Sequence, residues 1–409
     1  MKKFVILGAG TAGTIMANKL ARALPAKEWS ITIVDRDNDH AYQPGFLFVP
    51  FHGYEPSEIV RSRRRYLNRR VDFLEALVER IEPDQKKVKL KGGAVLDYDF
   101  LIIATGTRPA PAENDGMLGP EWHKSVGEFY TLEGCTALQR QLDGFKGGRL
   151  VVHISEMPIK CPVAPLEFAF LADAYFRAKG MRDKVEIEYV TPLSGAFTKP
   201  KAAELLGNFL SSRRIKLQPD FALARVDQEA KKIVSWDERE VPYDLLVTVP
   251  TNMGDPVIGD SGIGDDMNYV PTDKHTLLTK ASPNIFALGD ATDLPSSKAG
   301  SVAHFQADIL FENIMSVIAG HSPEAKFDGH ANCFIESGDG KALLIDFSYD
   351  VEPLPGSYPL PFIGPMSLLK ESRLNHFGKL MFKWVYWNLL LPGRLPPIGN
   401  KFSMSGKRP

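Results

Sequence analysis

The chain has 409 residues, 44% apolar and 24% charged, so a packed core is expected, disorder is not, and at roughly 100–200 residues per domain there is room for two or three domains. Its 49 basic and 50 acidic side chains leave a formal net charge of −1, without the basic excess of a nucleic-acid binder. Three cysteines are too few for a disulfide-stapled scaffold, the nine histidines are scattered without metal-ligand spacing, and no apolar run approaches the ~18 residues that span a bilayer.

Met1-Lys2-Lys3 leads into a strand and glycines rather than a cleavage site, so no export signal is expected and a cytoplasmic face is favoured. Phe4-Val5-Ile6-Leu7 is an apolar run of buried-strand type. Gly8-Ala9-Gly10-Thr11-Ala12-Gly13 follows, and Ile15–Leu20 reads as a helix. Gly8 permits a tight turn, Gly10 lets backbone approach a pyrophosphate, and Gly13 lets helix and strand pack closely. The helix start offers N–H groups and a positive dipole end to phosphates. A second strand, Ile31–Val34, ends in Asp35, 22 residues after Gly13, where an acid suits the ribose of an adenosine half. FAD and NAD both fit such a site.

Further along, Leu101-Ile102-Ile103-Ala104-Thr105-Gly106 and Ile285-Phe286-Ala287-Leu288-Gly289-Asp290-Ala291 are buried strands that break into small-residue turns. They resemble motifs of the glutathione-reductase-like flavoproteins, which have two tandem Rossmann-like domains. That resemblance implies an α/β fold and FAD, with Asp290 on the ribityl chain. It also makes Pro44, Gly45, Val78, Ala104, Thr105, Gly106, Gly289, Lys298 and Gly300 candidate cofactor residues. Where such proteins carry a second glycine turn for NAD(P)H, the strand Arg149–Ile154 leads into Ser155-Glu156-Met157-Pro158-Ile159-Lys160-Cys161-Pro162, with no glycine before Gly180. Side chains there obstruct close approach to a pyrophosphate, so pyridine nucleotide binding is not expected. Cys161, beside Lys160 and just before the helix-like Leu166–Ala178, is read as a thiol of depressed pKa; a buried structural cysteine is the competing reading. Cys135 sits on a helix face and reads as structural.

Lys160-Cys161-Pro162-Val163-Ala164-Pro165-Leu166-Glu167 resembles the cysteine segment of sulfide:quinone oxidoreductases and of the flavocytochrome c sulfide dehydrogenase flavoprotein. The likeness continues in Tyr42–Pro50 and Pro295–Gln306. It implies that Cys161 and Cys333 flank the flavin and are joined by a disulfide or sulfur-lengthened bridge that sulfide attacks. Glu167 matches a family glutamate that handles protons, with an exposed helix carboxylate as the alternative. Phe334 and Lys298 resemble residues on the quinone side. Tyr130 stands where many relatives carry a third cysteine, which makes this a two-cysteine variant. Tyr42 replaces the cysteine that tethers FAD in flavocytochrome c flavoproteins, so FAD is expected to bind without a covalent link.

The stretch from Met366 to Leu391 is amphipathic. Lys370, Arg373, Lys379 and Lys383 are expected at lipid headgroups, and Phe377, Leu380, Met381, Trp384, Trp387 and Leu391 in the acyl boundary, as a monotopic, peripheral helix pair. A core helix pair or a dimer interface is the alternative. The expected organisation is an FAD domain of residues 1–112 and 252–325, containing a helix Gly300–Ile318, and a second Rossmann-like domain of 113–251 without a nucleotide fingerprint. A C-terminal segment, 326–409, supplies Cys333 and the membrane helices. The partners are then sulfide, a membrane quinone and the membrane surface, and whether the chain forms a homo-oligomer stays open. Competing functions are a flavocytochrome-type dehydrogenase, a type II NADH:quinone reductase, and a persulfide carrier without quinone turnover.

Overall fold

The computed structural model describes residues 1–360, 364–394 and 401–408. A run such as Phe4–Leu7, apolar on both faces, is stable only inside a sheet covered on both sides. It forms β1 (Lys2–Leu7), followed by α1 (Thr11–Ala23), β2 (Trp29–Asp35), β3 (Val71–Glu75) and β4 (Phe100–Ile103). Next come α2 (Leu132–Gly144), β5 (Gly148–Ile154), α3 (Ala164–Ala178), β6 (Val185–Val190), β7 (Ile215–Gln218) and β8 (Leu245–Val249). Then follow β9 (Ile285–Ala287), α4 (Gly300–Ile318), β10 (Ala331–Gly338), β11 (Lys341–Phe347), β12 (Gly364–Leu368) and α5 (Arg373–Val385).

Two five-stranded parallel sheets organise these elements. The first has the order β9-β4-β1-β2-β3. The second runs from the short strand Val126–Gly127 through β8, β5 and β6 to β7. In the first sheet Ile6 aligns with Ile33 and Ile102, and all three are fully buried. Each such side chain contributes about 1.5–3 kcal/mol relative to exposure. The fold is therefore the expected tandem Rossmann-like α/β architecture. Because β9, β4 and β1 are adjacent and parallel, the loops after all three leave from the same edge, where ligands of open α/β sheets bind.

Downstream, β10 and β11 form an antiparallel hairpin with Cys333 opposite Ile345. It is sandwiched between α3 on one side and α5 on the other. This changes the reading of the stretch 366–391. In place of an interfacial helix pair it comprises the end of β12, one helix, and a π-helical turn Tyr386–Leu390. Tyr386, Trp387 and Leu391 are buried, and Lys379 turns inward to an acid. The turn after α5 packs on the molecule, whereas the large apolar side chains of α5 itself face outward. Leu374, Phe377, Leu380, Met381 and Trp384 stay exposed, Trp384 at 58%. No helix among the described residues is long and apolar enough to cross a membrane.

Candidate functional site

Three loops converge at the shared edge of β1, β4 and β9. Gly8 has φ +95°, and a Cβ on it would lie 2.4 Å from the carbonyl oxygen of Ala104. A Cβ on Gly13 would lie 1.9 Å from the Gly8 oxygen, so both positions require glycine for the close packing of loop, strand and helix. Gly10 differs: a Cβ there would meet nothing within 4 Å, which leaves its backbone open to a ligand. Asp35, at the end of β2, accepts from the Ala9 amide at 2.7 Å and lies 3.4 Å from the Arg63 guanidinium. Burial raises its pKa against the pull of that guanidinium. Thr11 opens α1, its hydroxyl sharing a hydrogen bond with the Tyr386 hydroxyl at 2.7 Å, and Ala12 is buried beside it.

After β4, Ala104 donates to the Leu7 carbonyl, Gly106 (φ +73°) faces open space, and the Thr105 hydroxyl is buried without a protein partner. After β9, Gly289 (φ +71°) donates to Gln306, and a Cβ on it would come within 3.1 Å of Ala12. Asp290 follows, with burial raising its pKa. Gly300 starts α4 within reach of Thr11. An open Gly10, an open Gly106 and an orphaned Thr105 hydroxyl at one edge fit a dinucleotide such as FAD. Pro44 and Gly45 lie in a short turn beside the buried Tyr42, which meets Tyr386 edge-on at 5.0 Å. Val78 belongs to a separate antiparallel sheet and packs on the opposite apolar cluster.

The cysteine loop follows β5. Cys161 holds φ +49°, a strained conformation for a non-glycine residue. Two anchors impose it: the Cys161 amide donates to the Lys298 carbonyl at 2.6 Å, and the Tyr130 hydroxyl donates to the Cys161 carbonyl at 3.3 Å. Lys298 therefore ties the cysteine loop to the Asp290 loop. Its own buried ammonium donates to the carbonyls of Thr292 (2.6 Å) and Asp290 (3.2 Å) and lies 3.9 Å from the Tyr269 ring centroid. Burial pulls its pKa down to about 8, with Asp290 opposing.

Cys333 reaches the same region from β10. The Glu336 amide donates to Glu167 Oε1 at 2.7 Å, which stitches β10 to the first turn of α3. Lys379 of α5 donates to that same oxygen and to the Phe334 carbonyl. Glu167 is thus 1% exposed and is not the surface carboxylate considered above. The Phe334 ring lies against α5 at Gly378.

The expected depressed thiol is not found. Burial, reinforced by Glu167, pushes Cys161 up to about 12 despite Lys379. Cys333 is also raised, by burial and then by Cys161 itself. The Lys160 ammonium reaches Gln43 at 3.0 Å and leaves burial as the dominant influence on the thiol. Both cysteines are free thiols, with no disulfide between them. Cys135 is buried, its thiol on the Leu132 carbonyl, as its structural reading requires. Sequence reasoning missed Glu336 and His376, and it placed Lys379 and Tyr386 at the membrane boundary, whereas both turn inward. A lysine at helical spacing from both aromatics and basics gives no local sign of an acid waiting two segments away.

Comparison with known proteins adds four findings. Residues 2–307 match the family described as pyridine nucleotide-disulphide oxidoreductase. The mitochondrial sulfide:quinone oxidoreductase of Mus musculus is 28% identical over 396 residues, spanning 95% of this chain and 86% of that protein. A type II NADH:quinone oxidoreductase of Staphylococcus aureus is 34% identical over 375 residues, spanning 84% of this chain and 90% of its own. In fold, the sulfide:quinone oxidoreductase of Aquifex aeolicus superimposes with a TM-score of 0.81 at 19% identity, covering 97% of this chain and 93% of that one.

Proposed function

The chain belongs to the pyridine nucleotide-disulphide oxidoreductase family, and within it we propose that it works as an FAD-dependent sulfide:quinone oxidoreductase. The observation that carries this reading is the meeting of Cys161, Cys333 and Glu167 beside the Asp290 loop. Cys161 stands in the turn where a pyridine-nucleotide enzyme needs glycine, and Glu167 of α3 and Cys333 of β10 close on it. FAD, when bound, supplies a two-electron acceptor that can pass electrons on to a quinone.

Gly8, Gly10, Thr11, Ala12 and Gly13 take the pyrophosphate and Asp35 the ribose. Ala104, Thr105, Gly106, Gly289, Asp290, Lys298 and Gly300 line the remainder of the cofactor. Tyr42 has no thiol to form a tether, and burial keeps its phenol protonated, so retention is non-covalent. The chain's own chemistry is thiol exchange: sulfide attacks a Cys161–Cys333 bridge, one cysteine keeps the sulfur as a persulfide, and the other departs as a thiolate. Glu167 takes up the proton. Phe334 and Lys298 belong to the quinone side. The exposed Leu374, Phe377, Leu380, Met381 and Trp384, with Lys370 and Arg373, form a face that rests on the membrane. Its test is loss of co-sedimentation with anionic vesicles in Trp384→Ser.

Anaerobic sulfide should bleach the flavin absorbance and decyl-ubiquinone should restore it. Retained full bleaching in both Cys161→Ala and Cys333→Ala would defeat the reading. NADH dehydrogenation is the second reading, favoured by the 34% identical relative. It is opposed by the cysteine and two prolines where a pyrophosphate would need bare backbone. Rapid bleaching by NADH would favour it over sulfide oxidation.

A further inference from the structure

Three ionisable side chains lead from Glu167 to the protein surface. Glu167 and Glu336 are each 1% exposed, on α3 and β10. Lys379, between them on α5, bonds Glu167 and acts electrostatically on Glu336. Glu336 in turn places both carboxylate oxygens 2.9 Å from Nδ1 of His376, one turn before Lys379 on α5 and partly open to solvent. Two buried carboxylates thus share one ammonium. Burying an uncompensated charge is costly, so the cluster favours one more proton on Glu336. Burial raises the pKa of both carboxyls in the same sense.

Resting on the sulfide reading above, we propose that Glu167, Lys379, Glu336 and His376 form the exit path for the proton released in the thiol pocket, with His376 as its outlet. When HS⁻ attacks the Cys161–Cys333 bridge, the S–S bond breaks, a new S–S bond forms, and the displaced cysteine leaves as a thiolate. When the persulfide sulfur and the thiolate then join as a trisulfide bridge, an electron pair is released, which FAD, when bound, would accept. The persulfide S–H proton passes to Glu167. Lys379, an ammonium at rest, gives one of its own protons to Glu336 as that acid releases its own, and, then neutral, takes up the proton from Glu167, the four-carbon stem swinging between the two acids. Glu336 protonates Nδ1 of His376, and the imidazolium discharges to water, leaving every other group as it began. No proton accumulates beside the thiols, so a second sulfide can react.

The experiment is stopped-flow bleaching of the FAD-loaded enzyme by sulfide, without quinone, in His376→Ala, with and without free imidazole. His376→Gln serves as the variant that keeps the side chain's bulk. Bleaching should slow by roughly a hundredfold in both, and imidazole should restore the rate in His376→Ala while leaving the wild type unchanged. In infrared spectra recorded while the flavin bleaches, a transient protonated-carboxyl band should appear in the wild type and be missing in Glu336→Gln. Unslowed bleaching in both variants, slowing that imidazole does not relieve, or an unaltered band in Glu336→Gln overturns the path. Failure of the wild type to bleach at all overturns instead the function on which it rests.

Discussion

The molecule repeats one local plan twice, strand–turn–helix at the edge of a parallel sheet, and fills it with opposite chemistry. After β1 the turn is Gly8–Gly13, two of whose glycines exist to let backbone touch backbone and one to leave backbone bare. After β5 the turn is Ser155–Val163, rigid with proline, and it projects a strained cysteine in place of an open amide. The difference shows that the geometry of a dinucleotide turn is separable from its use. Under the function proposed above, the same exit from a sheet binds a phosphate when side chains are removed and delivers a nucleophile when one is fixed there.

The largest effect that would break this comparison comes from the second turn. Cys161→Ser keeps size and hydrogen bonding while removing the sulfur. Sulfide-dependent flavin bleaching should fall by more than about a thousandfold, as for loss of a covalent nucleophile, with FAD content unchanged. If bleaching persists, the second turn is not a nucleophile carrier. The next concerns the state of the thiol. With burial holding Cys161 at about 12, roughly one thiol in a thousand is ionised near pH 9. Alkylation of the reduced protein by iodoacetamide should therefore keep climbing between pH 9 and 11 rather than level off. Lys379 holds this pKa down, so Lys379→Met should slow alkylation of Cys161 further, while Cys135, whose neighbour is Glu128, serves as an internal control.

That prediction also marks where the sequence stopped being readable. The first turn was legible because strand, glycines, helix and acid are contiguous, and each glycine's function follows from the absence of its own Cβ. The position of Cys161 was legible for the same reason. Its ionisation was not, because the groups that set it, Glu167, Lys379 and the cover provided by β10 and α5, come from segments up to 218 residues away. Adjacent Lys160 misled: proximity in sequence placed it beside the thiol, whereas its side chain runs to Gln43. The tail was half legible. An amphipathic pattern identifies an apolar face but not what covers it. Trp384 stayed outside, whereas Trp387, three residues on, turned in against His40 and Tyr66.

The first turn can be sharpened from within. At Gly13 a side chain must displace the Gly8 carbonyl, so Gly13→Val should destabilise the fold by about 3 kcal/mol or more and release FAD. Thermal unfolding and flavin content measured together would read both. The corresponding change in the second turn, Pro162→Val, meets no such backbone clash and should leave FAD content intact. Equal loss of FAD in both would mean that the two turns are not divided in function.

The smallest effect lies where the two ends of the chain meet. Tyr386 places its hydroxyl 2.7 Å from Thr11 at the glycine turn and 2.7 Å from Nε2 of the buried His40. Burial pulls the His40 pKa down to about 3, so its imidazole is neutral at any pH at which the protein works, and this small network carries no charge. Tyr386→Phe keeps the ring against Tyr42 and Trp387 and removes only the two hydrogen bonds. Its cost should be about 1 kcal/mol, in the range of a neutral hydrogen bond, which is roughly a fivefold change in an equilibrium constant. Because Thr11 opens the helix that faces the pyrophosphate, part of that cost should appear as a few-fold weaker FAD affinity, with the sulfide bleaching rate of the loaded enzyme unchanged. A slower bleaching rate at full FAD occupancy would show instead that the C-terminal turn acts on the thiols, and the boundary between a binding turn and a reactive turn would have to be redrawn.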